Sequence, residues 1–241
     1  MTESGAPARF KDLCLDAVDV EAAARFWAPT LGLEVRRSGP DVRLAGPSAG
    51  HTVWINQVPE PKAVKNRVHL DVHAGSLAEL TDRGARVAPA DERLPWTVLT
   101  DPDGQEFCAF LREQVPDYRL YEVVVDCAAS ESESLARWWA SVLGGELERD
   151  DEDWALARVP GMPFEYLVFG AVPEPKTVKN RVHWDVEVAD PGLLVDAGAT
   201  LLRPLGGDIE WHVLADPAGN EFCAFVPAVG KGAPDSEDAG G

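Results

Sequence analysis

The sequence predicts an α+β protein of two tandem domains, each a pair of βαβββ units forming a curved mixed sheet around a cleft. Three observations predict it. First, the stretch from Val58 to His69 (Val-Pro-Glu-Pro-Lys-Ala-Val-Lys-Asn-Arg-Val-His) returns from Val172 to His183 with one substitution, at an offset of 114. The stretch from Asp101 to Cys108 returns from Asp216 to Cys223, and Arg25-Phe26-Trp27 with Leu31-Gly32 returns as Arg137-Trp138-Trp139 with Leu143-Gly144. A period this long exceeds the roughly 20 to 50 residues of solenoid repeats, so a whole domain has been duplicated. Second, short segments alternate apolar and polar residues with the period of half-buried strands. Third, each half carries helix-start and helix-stop signals between groups of such segments.

The elements follow in order. Leu13, Leu15 and Ala17 alternate with Asp12, Cys14 and Asp16, a strand. Asp19 can cap a helix through Ala22, Phe26 and Trp27, which Gly32 closes. Strand-like pieces come at 34–37, 42–45 and 52–57, followed by the Pro-Glu-Pro-Lys loop. Val68, Leu70 and Val72 alternate with His69, Asp71 and His73, another strand. Ser76 can cap a second helix that stops at Gly84, and strands at 96–99 and 107–111 flank the turn from Asp101 to Gly104. In the second half Tyr121, Val123 and Val125 alternate with Glu122, Val124 and Asp126. Ser130 and Glu133 have the spacing of a capping box before a helix over 135–143, and Val182, Trp184 and Val186 alternate with His183, Asp185 and Glu187. This divides the chain into a loose leader at 1–9, a first domain at 10–113, a linker near 112–118, a second domain at 119–228 and a disordered tail at 229–241.

Size and charge narrow the function. The 241 residues suit two domains of ordinary size, each able to bury a core. A net charge of −19 opposes binding to nucleic acid or an anionic membrane surface. No apolar run reaches the ~20 residues of a spanning helix, and the first residues lack the regions of a signal peptide, so the expected location is cytoplasmic. Cys14, Cys108, Cys127 and Cys223 form no Cys-x-x-Cys, which leaves four reduced thiols as the expectation.

The alternation also assigns faces. If the apolar faces meet helices, then His69, Asp71, Glu106 and Cys108 look out together, joined by Asp12, Cys14 and Asp16. The same logic collects Glu122, Asp126, His183, Asp185, Glu221 and Cys223 in the second half. Such sheets line pockets for small molecules.

These residues carry a family resemblance. Ala24 to Trp27 with Leu31-Gly32, the strand from Arg67 to Asp71, and the Asp-Pro-x-Gly-x-Glu-Phe-Cys endings resemble the vicinal oxygen chelate superfamily, in its glyoxalase-like domain branch. That superfamily includes glyoxalase I, extradiol dioxygenases and bleomycin-resistance proteins. The resemblance runs from about residue 10 to 227 and implies tandem glyoxalase-like domains that bind a small organic molecule. For metal-dependent members it implies ligands near Asp12, His51, His69 and Cys108 in one half and Glu122, Glu165, His183 and Cys223 in the other. Cysteine stands where such enzymes use glutamate, so the expected reading is ligand binding without the usual full metal set. The alternatives are a metal-dependent lyase, isomerase or dioxygenase with a divalent ion held through His69 or His183, and a non-catalytic scaffold with filled clefts.

The expected pocket is therefore Asp16, Trp54, His69, Asp71, Glu106, Cys108, Asp126, His183, Asp185, Glu221 and Cys223. Each has a plainer role open to it. The histidines can line a pocket while paired with Asp71 and Asp185, the cysteines can be buried fillers, and the glutamates can be strand-end charges. Trp54, Trp138 and Trp139 could stack on a ligand, with core packing the plainer role for Trp139. Four of six lysines, Lys62, Lys65, Lys176 and Lys179, sit in the repeated loops, to capture an anion or to pair with acidic neighbours across the domain interface. The chain is expected to be a monomer resembling a dimer, or a homodimer, with its two clefts lined differently.

Overall fold

The computed structural model describes residues 5–90, 94–150 and 153–227. The tail expected at 229–241 and the first residues of the leader lie outside the described residues. Four βαβββ units follow one another. The first is β1 (Ala8–Ala17), α1 (Val20–Leu31), β2 (Glu34–Ser38), β3 (Asp41–Ala45) and β4 (Val53–Gln57). The second is β5 (Val68–Ala74), α2 (Leu77–Thr81), β6 (Arg86–Val87), β7 (Thr97–Thr100) and β8 (Glu106–Leu111). The third is β9 (Leu120–Cys127), α3 (Ser132–Leu143), β10 (Glu146–Asp150), β11 (Asp153–Ala157) and β12 (Tyr166–Ala171). The fourth is β13 (Val182–Val188), α4 (Gly192–Asp196), β14 (Thr200–Arg203), β15 (His212–Ala215) and β16 (Glu221–Phe225). The expected order of elements is present, and β1 begins two residues inside the expected leader.

The α+β class and the mixed sheets are as expected, but the units do not partner within a repeat. One eight-stranded sheet runs β14-β15-β16-β13-β1-β4-β3-β2, and the other runs β10-β11-β12-β9-β5-β8-β7-β6. Thus the first unit pairs with the fourth, and the second with the third. The joints are antiparallel, β1 with β13 and β5 with β9. Strand alternation reveals a strand's two faces but not its neighbour, so the sequence could not show this exchange.

What does hold a repeat together is packing. Helix α1 covers β2 to β4 of the first sheet and touches β5 of the second, while α3 covers β10 to β12 and touches β1. Phe26 and Trp27 of α1 meet Phe107 of β8 edge to face at 5.7 and 5.3 Å between centroids. Trp139 of α3 meets Trp184 of β13 at 4.7 Å and Phe222 of β16 at 5.0 Å. These large rings are fully buried, and each such ring contributes a large share of core energetics. Trp27 donates its ring N–H to Asp101 at 2.9 Å, and Trp139 donates to Asp216 at 3.1 Å, so each main helix is tied to the repeated Asp-Pro-x-Gly turn of its own repeat.

Local signals behave mostly as read. Asp19 accepts from Ala22 N–H at 2.9 Å, and Gly32 ends α1 at φ 71°. A Cβ there would lie 1.8 Å from the Asp117 carbonyl oxygen, so glycine also lets the inter-repeat linker close over the helix. The Ser130–Glu133 capping box does not form: α3 starts at Ser132, and its N-cap Glu131 makes no side-chain cap. Ser132 Oγ instead donates to the Phe169 carbonyl at 2.7 Å, anchoring α3 to β12. Helix α2 stops at Thr81, short of Gly84. No helix among the described residues is long and apolar enough to cross a membrane.

Candidate functional site

The face turned away from the helices carries ionisable groups in both sheets, and each sheet forms one cleft. Because β1 lies in one sheet and β5 with β8 in the other, the sets read within each repeat are divided. Asp12, Cys14 and Asp16 face His183, Asp185, Glu221 and Cys223 in the first cleft. His69, Asp71, Glu106 and Cys108 share the second cleft with Glu122 and Asp126. His51 joins neither set, since it bonds Ser48 at 2.7 Å and packs on Tyr118 at 4.5 Å between centroids. Glu165 reaches only the rim of the second cleft, 3.9 Å from His73 Nε2. Leu70 and its repeat mate Trp184 differ in size but lie in the core rather than in a pocket.

In the first cleft Asp12 stands directly across from Asp185, and both are buried. Two adjacent carboxyls in a dry place need a proton or a cation. Lys11 supplies the cation, with Nζ 2.6 Å from Asp12 Oδ2 and 3.8 Å from Asp185 Oδ2. Burial, then Asp12, still pushes the Asp185 carboxyl well up. Cys14 Sγ lies 3.7 Å from both Asp185 oxygens, and His183 Nε2 lies 3.6 Å from Cys223 Sγ and 3.7 Å from Asp185 Oδ1. Burial, helped by Lys179, lowers His183 to about 4, so its imidazole is neutral at neutral pH. Burial drives both the Cys14 and Cys223 thiols far up, with Asp185 adding to it, so they are donors rather than nucleophiles. Asp12 Oδ1 and His183 Nδ1 are buried with no partner within the protein.

A cavity of about 540 Å³ opens over these groups. Its walls include Trp54, Trp211 and Phe225, and Asn56, Glu210 and Arg203 join the lining. Trp54 donates to Asp12 at 3.1 Å and carries the Arg43 guanidinium over its ring. Trp211 stacks on Phe225 at 5.5 Å between centroids. Trp138 and Trp139 are not in a cleft. Trp139 is core, and Trp138 donates to the Ala197 carbonyl at 2.8 Å.

The second cleft repeats the plan with other residues. Asp71 stands across from Glu122, and His69 Nδ1 lies 2.7 Å from Asp71. Burial raises Glu122 to about 8, and Asp71 adds to it. Burial works against a charged His69, but Asp71, followed by Asp126, outweighs it and raises the imidazole's pKa. Burial and then Asp71 push the Cys108 thiol far up. Where the first cleft has Lys11, this one has Tyr121, which packs against His73, Phe110 and Tyr166.

The repeated loops meet between the clefts. Arg67 donates to the Glu174 carbonyl at 3.1 Å and Arg181 to the Glu60 carbonyl at 2.9 Å, a reciprocal exchange. Lys65 pairs with Asp126 and Lys179 with Asp16, across the repeats. Lys62 pairs with Glu106 at 2.6 Å and Lys176 with Glu221 at 2.8 Å, within a repeat. Glu106 and Glu221 also accept from the backbone of Asn66 and Asn180, so they fasten the loops. The basic loops are thus engaged with acids, only half of them across the repeat boundary.

Sequence reasoning missed Lys11, Trp211, Phe225 and Tyr121. Lys11 breaks the alternation that defined the faces, and no pattern marked it. Trp96 and Trp211 stand at the offset of the repeated endings, a signal that was there to find.

Among the described residues, Cys14–His183–Asp185 and His69–Asp71–Cys108 each bring three groups with metal-binding chemistry together. All four cysteines are free thiols. Comparison with curated protein sequences finds no match. The structure is similar to glyoxalase I from Zea mays, with a TM-score of 0.65 at 14% identity over 90% of this chain and 92% of that one. It is similar also to a putative dioxygenase from Bacillus subtilis, with a TM-score of 0.60 at 12% identity over 94% of this chain and 87% of the other. At such identities the likeness shows the fold. The family described as glyoxalase-like domain matches residues 12–110 and again 122–225. The chain therefore belongs to the glyoxalase-like domain family, of the vicinal oxygen chelate fold, in two tandem copies.

Proposed function

We propose that the chain binds a small organic molecule in the first cleft without the full metal-ligand set of metal-dependent relatives. The carrying observation is the cavity of about 540 Å³ over β1, β4, β13 and β16, within the size range of small-molecule sites. Trp54, Trp211 and Phe225 offer ring faces to a planar ligand. Asp12 Oδ1 and His183 Nδ1 stand unpartnered beneath them as polar anchors. The protonated thiols of Cys14 and Cys223 add weak donors, and the neutral His183 can exchange a proton with a bound ligand. The scaffold reading expects filled clefts, and the first cleft's cavity speaks against it.

Metal fits the clefts unequally. In the first, an ammonium already lies among the oxygens that would ligate it, so no step is derived through a metal there. In the second, His69, Asp71, Cys108 and Glu122 could hold a divalent ion, whose chemistry when bound would be Lewis-acid polarisation of a substrate's vicinal oxygens. This supports a second reading, a metal-dependent lyase, isomerase or dioxygenase, with glyoxalase I and a putative dioxygenase among the structural neighbours. In it, Asp71 orients the His69 ring through Nδ1, and Nε2, 3.9 Å from Asp126 Oδ1, is the nitrogen that would bind.

Thermal-shift screening of the purified protein against a broad metabolite panel, before and after chelation, tests the proposal. A ligand that stabilises the chelated protein supports it, and no stabilisation by any organic compound counts against it. Metal below about 0.1 per chain after incubation with Ni, Zn, Mn or Fe ions removes the second reading.

A further inference from the structure

The two clefts differ most sharply at one backbone irregularity. In the β1–β13 ladder, Phe10 pairs with Val186 and Asp12 with Asp185, which leaves Lys11 as an extra residue. In the β5–β9 ladder, Leu120 pairs with Val72 and Glu122 with Asp71, which leaves Tyr121 as the extra residue. The same bulge therefore recurs in both sheets, and bulges re-aim a side chain that alternation would send elsewhere. In each case the re-aimed residue precedes a carboxyl that faces a second carboxyl across the strands.

The two bulges answer that pair of carboxyls differently. The Lys11 ammonium bridges Asp12 and Asp185 and sits 4.2 Å from the centroid of the Phe225 ring, a cation–π contact. Tyr121 carries no positive charge and turns into the aromatic cluster of His73, Phe110 and Tyr166. Each cleft also brings one imidazole, one thiol and a carboxyl within reach of one another, and the first adds a second thiol, Cys223, beside His183.

We infer that Lys11 is a tethered cation that takes the place of a divalent metal ion in the first cleft, so that this cleft is closed to metal by its own chain. The ammonium occupies Asp12 Oδ2 and lies near Asp185 Oδ2, oxygens an incoming ion would need. A divalent ion at the Cys14–His183–Asp185 cluster would also meet the positive charge of Lys11 at close range, in a site that screens it poorly. The ammonium offsets one negative charge of the carboxyl pair, while the cavity stays available to an organic ligand. The inference shares its residues with the proposed ligand site, but a metal titration needs no organic ligand, so the two can fail separately.

Cobalt(II) reports thiolate ligation by its near-ultraviolet absorption, and it can be titrated into the full chain. A background variant carrying His69→Ala and Cys108→Ser silences the second cluster. In that background the chain with Lys11 intact is expected to show no thiolate–cobalt band. Lys11→Met is expected to bring in one cobalt ion per chain, at least about tenfold more tightly, with a band that Cys14→Ser removes. Should Lys11→Met fail to fold by circular dichroism, Lys11→Tyr installs the residue that the matching bulge already accommodates. A cobalt–thiolate band with Lys11 intact, removed by Cys14→Ser, would overturn the inference. So would a folded Lys11→Met or Lys11→Tyr protein that gains no cobalt.

Discussion

Replacing Glu122 by Gln should stabilise the protein, increasingly so as pH rises. Glu122 is largely buried beside Asp71 in the second cleft, with no ammonium in the position that Lys11 holds in the first. Its carboxyl is raised from an ordinary 4.5 to about 8, first by burial and then by Asp71. The folded state therefore holds a proton that the unfolded chain has lost. Such a group stabilises folding fully below pH 4.5, and the contribution is lost as pH rises through about 8. At pH 7 the gap is about 2.5 pH units, a cost of about 3 kcal/mol at 1.36 kcal/mol per unit. At pH 5 the same reasoning gives about 1 kcal/mol. Gln keeps a donor towards Asp71 and never ionises, so the variant should exceed wild type by about 2 kcal/mol more at pH 7 than at pH 5. Urea unfolding at both pH values gives this difference directly, because contributions common to both proteins cancel. A variant whose stability difference from wild type is flat between pH 5 and 7 would refute the picture of a shared proton between Glu122 and Asp71.

Other perturbations address separate parts of the structure. His183→Ala should weaken a ligand found by screening at least about tenfold, while His69→Ala should change its affinity less than about twofold by calorimetry, since only His183 lines the large cavity. His183 is lowered from 6.5 to about 4 in the fold, so its contribution is lost as pH falls from about 6.5 towards 4. Thermal unfolding of His183→Asn should accordingly show a weaker fall over that window than wild type. Trp27→Phe removes the donor to buried Asp101 while keeping an aromatic ring, and should cost about 1 to 3 kcal/mol in urea unfolding.

Much of the fold could be read because its signals are local. The Asp19 cap, the Gly32 stop and the apolar face of Val68, Leu70 and Val72 each depend on residues a few positions apart. The faces bearing His69, Asp71 and Cys108, or His183, Asp185 and Cys223, followed from the same alternation. The partnering of the sheets did not, because duplicated units carry nearly the same edges, and one strand's pattern does not name its neighbour. That single ambiguity groups Asp12 with His69 in the sequence, although it lies across from Asp185 in the cleft of His183. Likewise the match between Ser130 and Glu133 is spacing without geometry, since the N-cap falls one residue later, at Glu131, and Ser132 takes the anchoring role.

The bulge explains how a duplicated scaffold can carry two unlike clefts with little change to its frame. Both ladders keep the same two-against-one register, so the residue at the bulge can change without moving the strands. Lysine there adds a positive charge beside a carboxyl pair of which Asp185 is still pushed well up. Tyrosine leaves the carboxyls to share a proton and fills adjoining space with its ring. Around them, Trp54 against Val168 alters the lining while the cross-strand partners hold. The pairing of each unit with one from the other repeat sharpens this division. Each cleft draws one half of its groups from each repeat, so neither repeat alone contains a complete cleft. Divergence of the two clefts thus required changes at facing positions in both copies, and the bulge residue is where the difference in charge is concentrated.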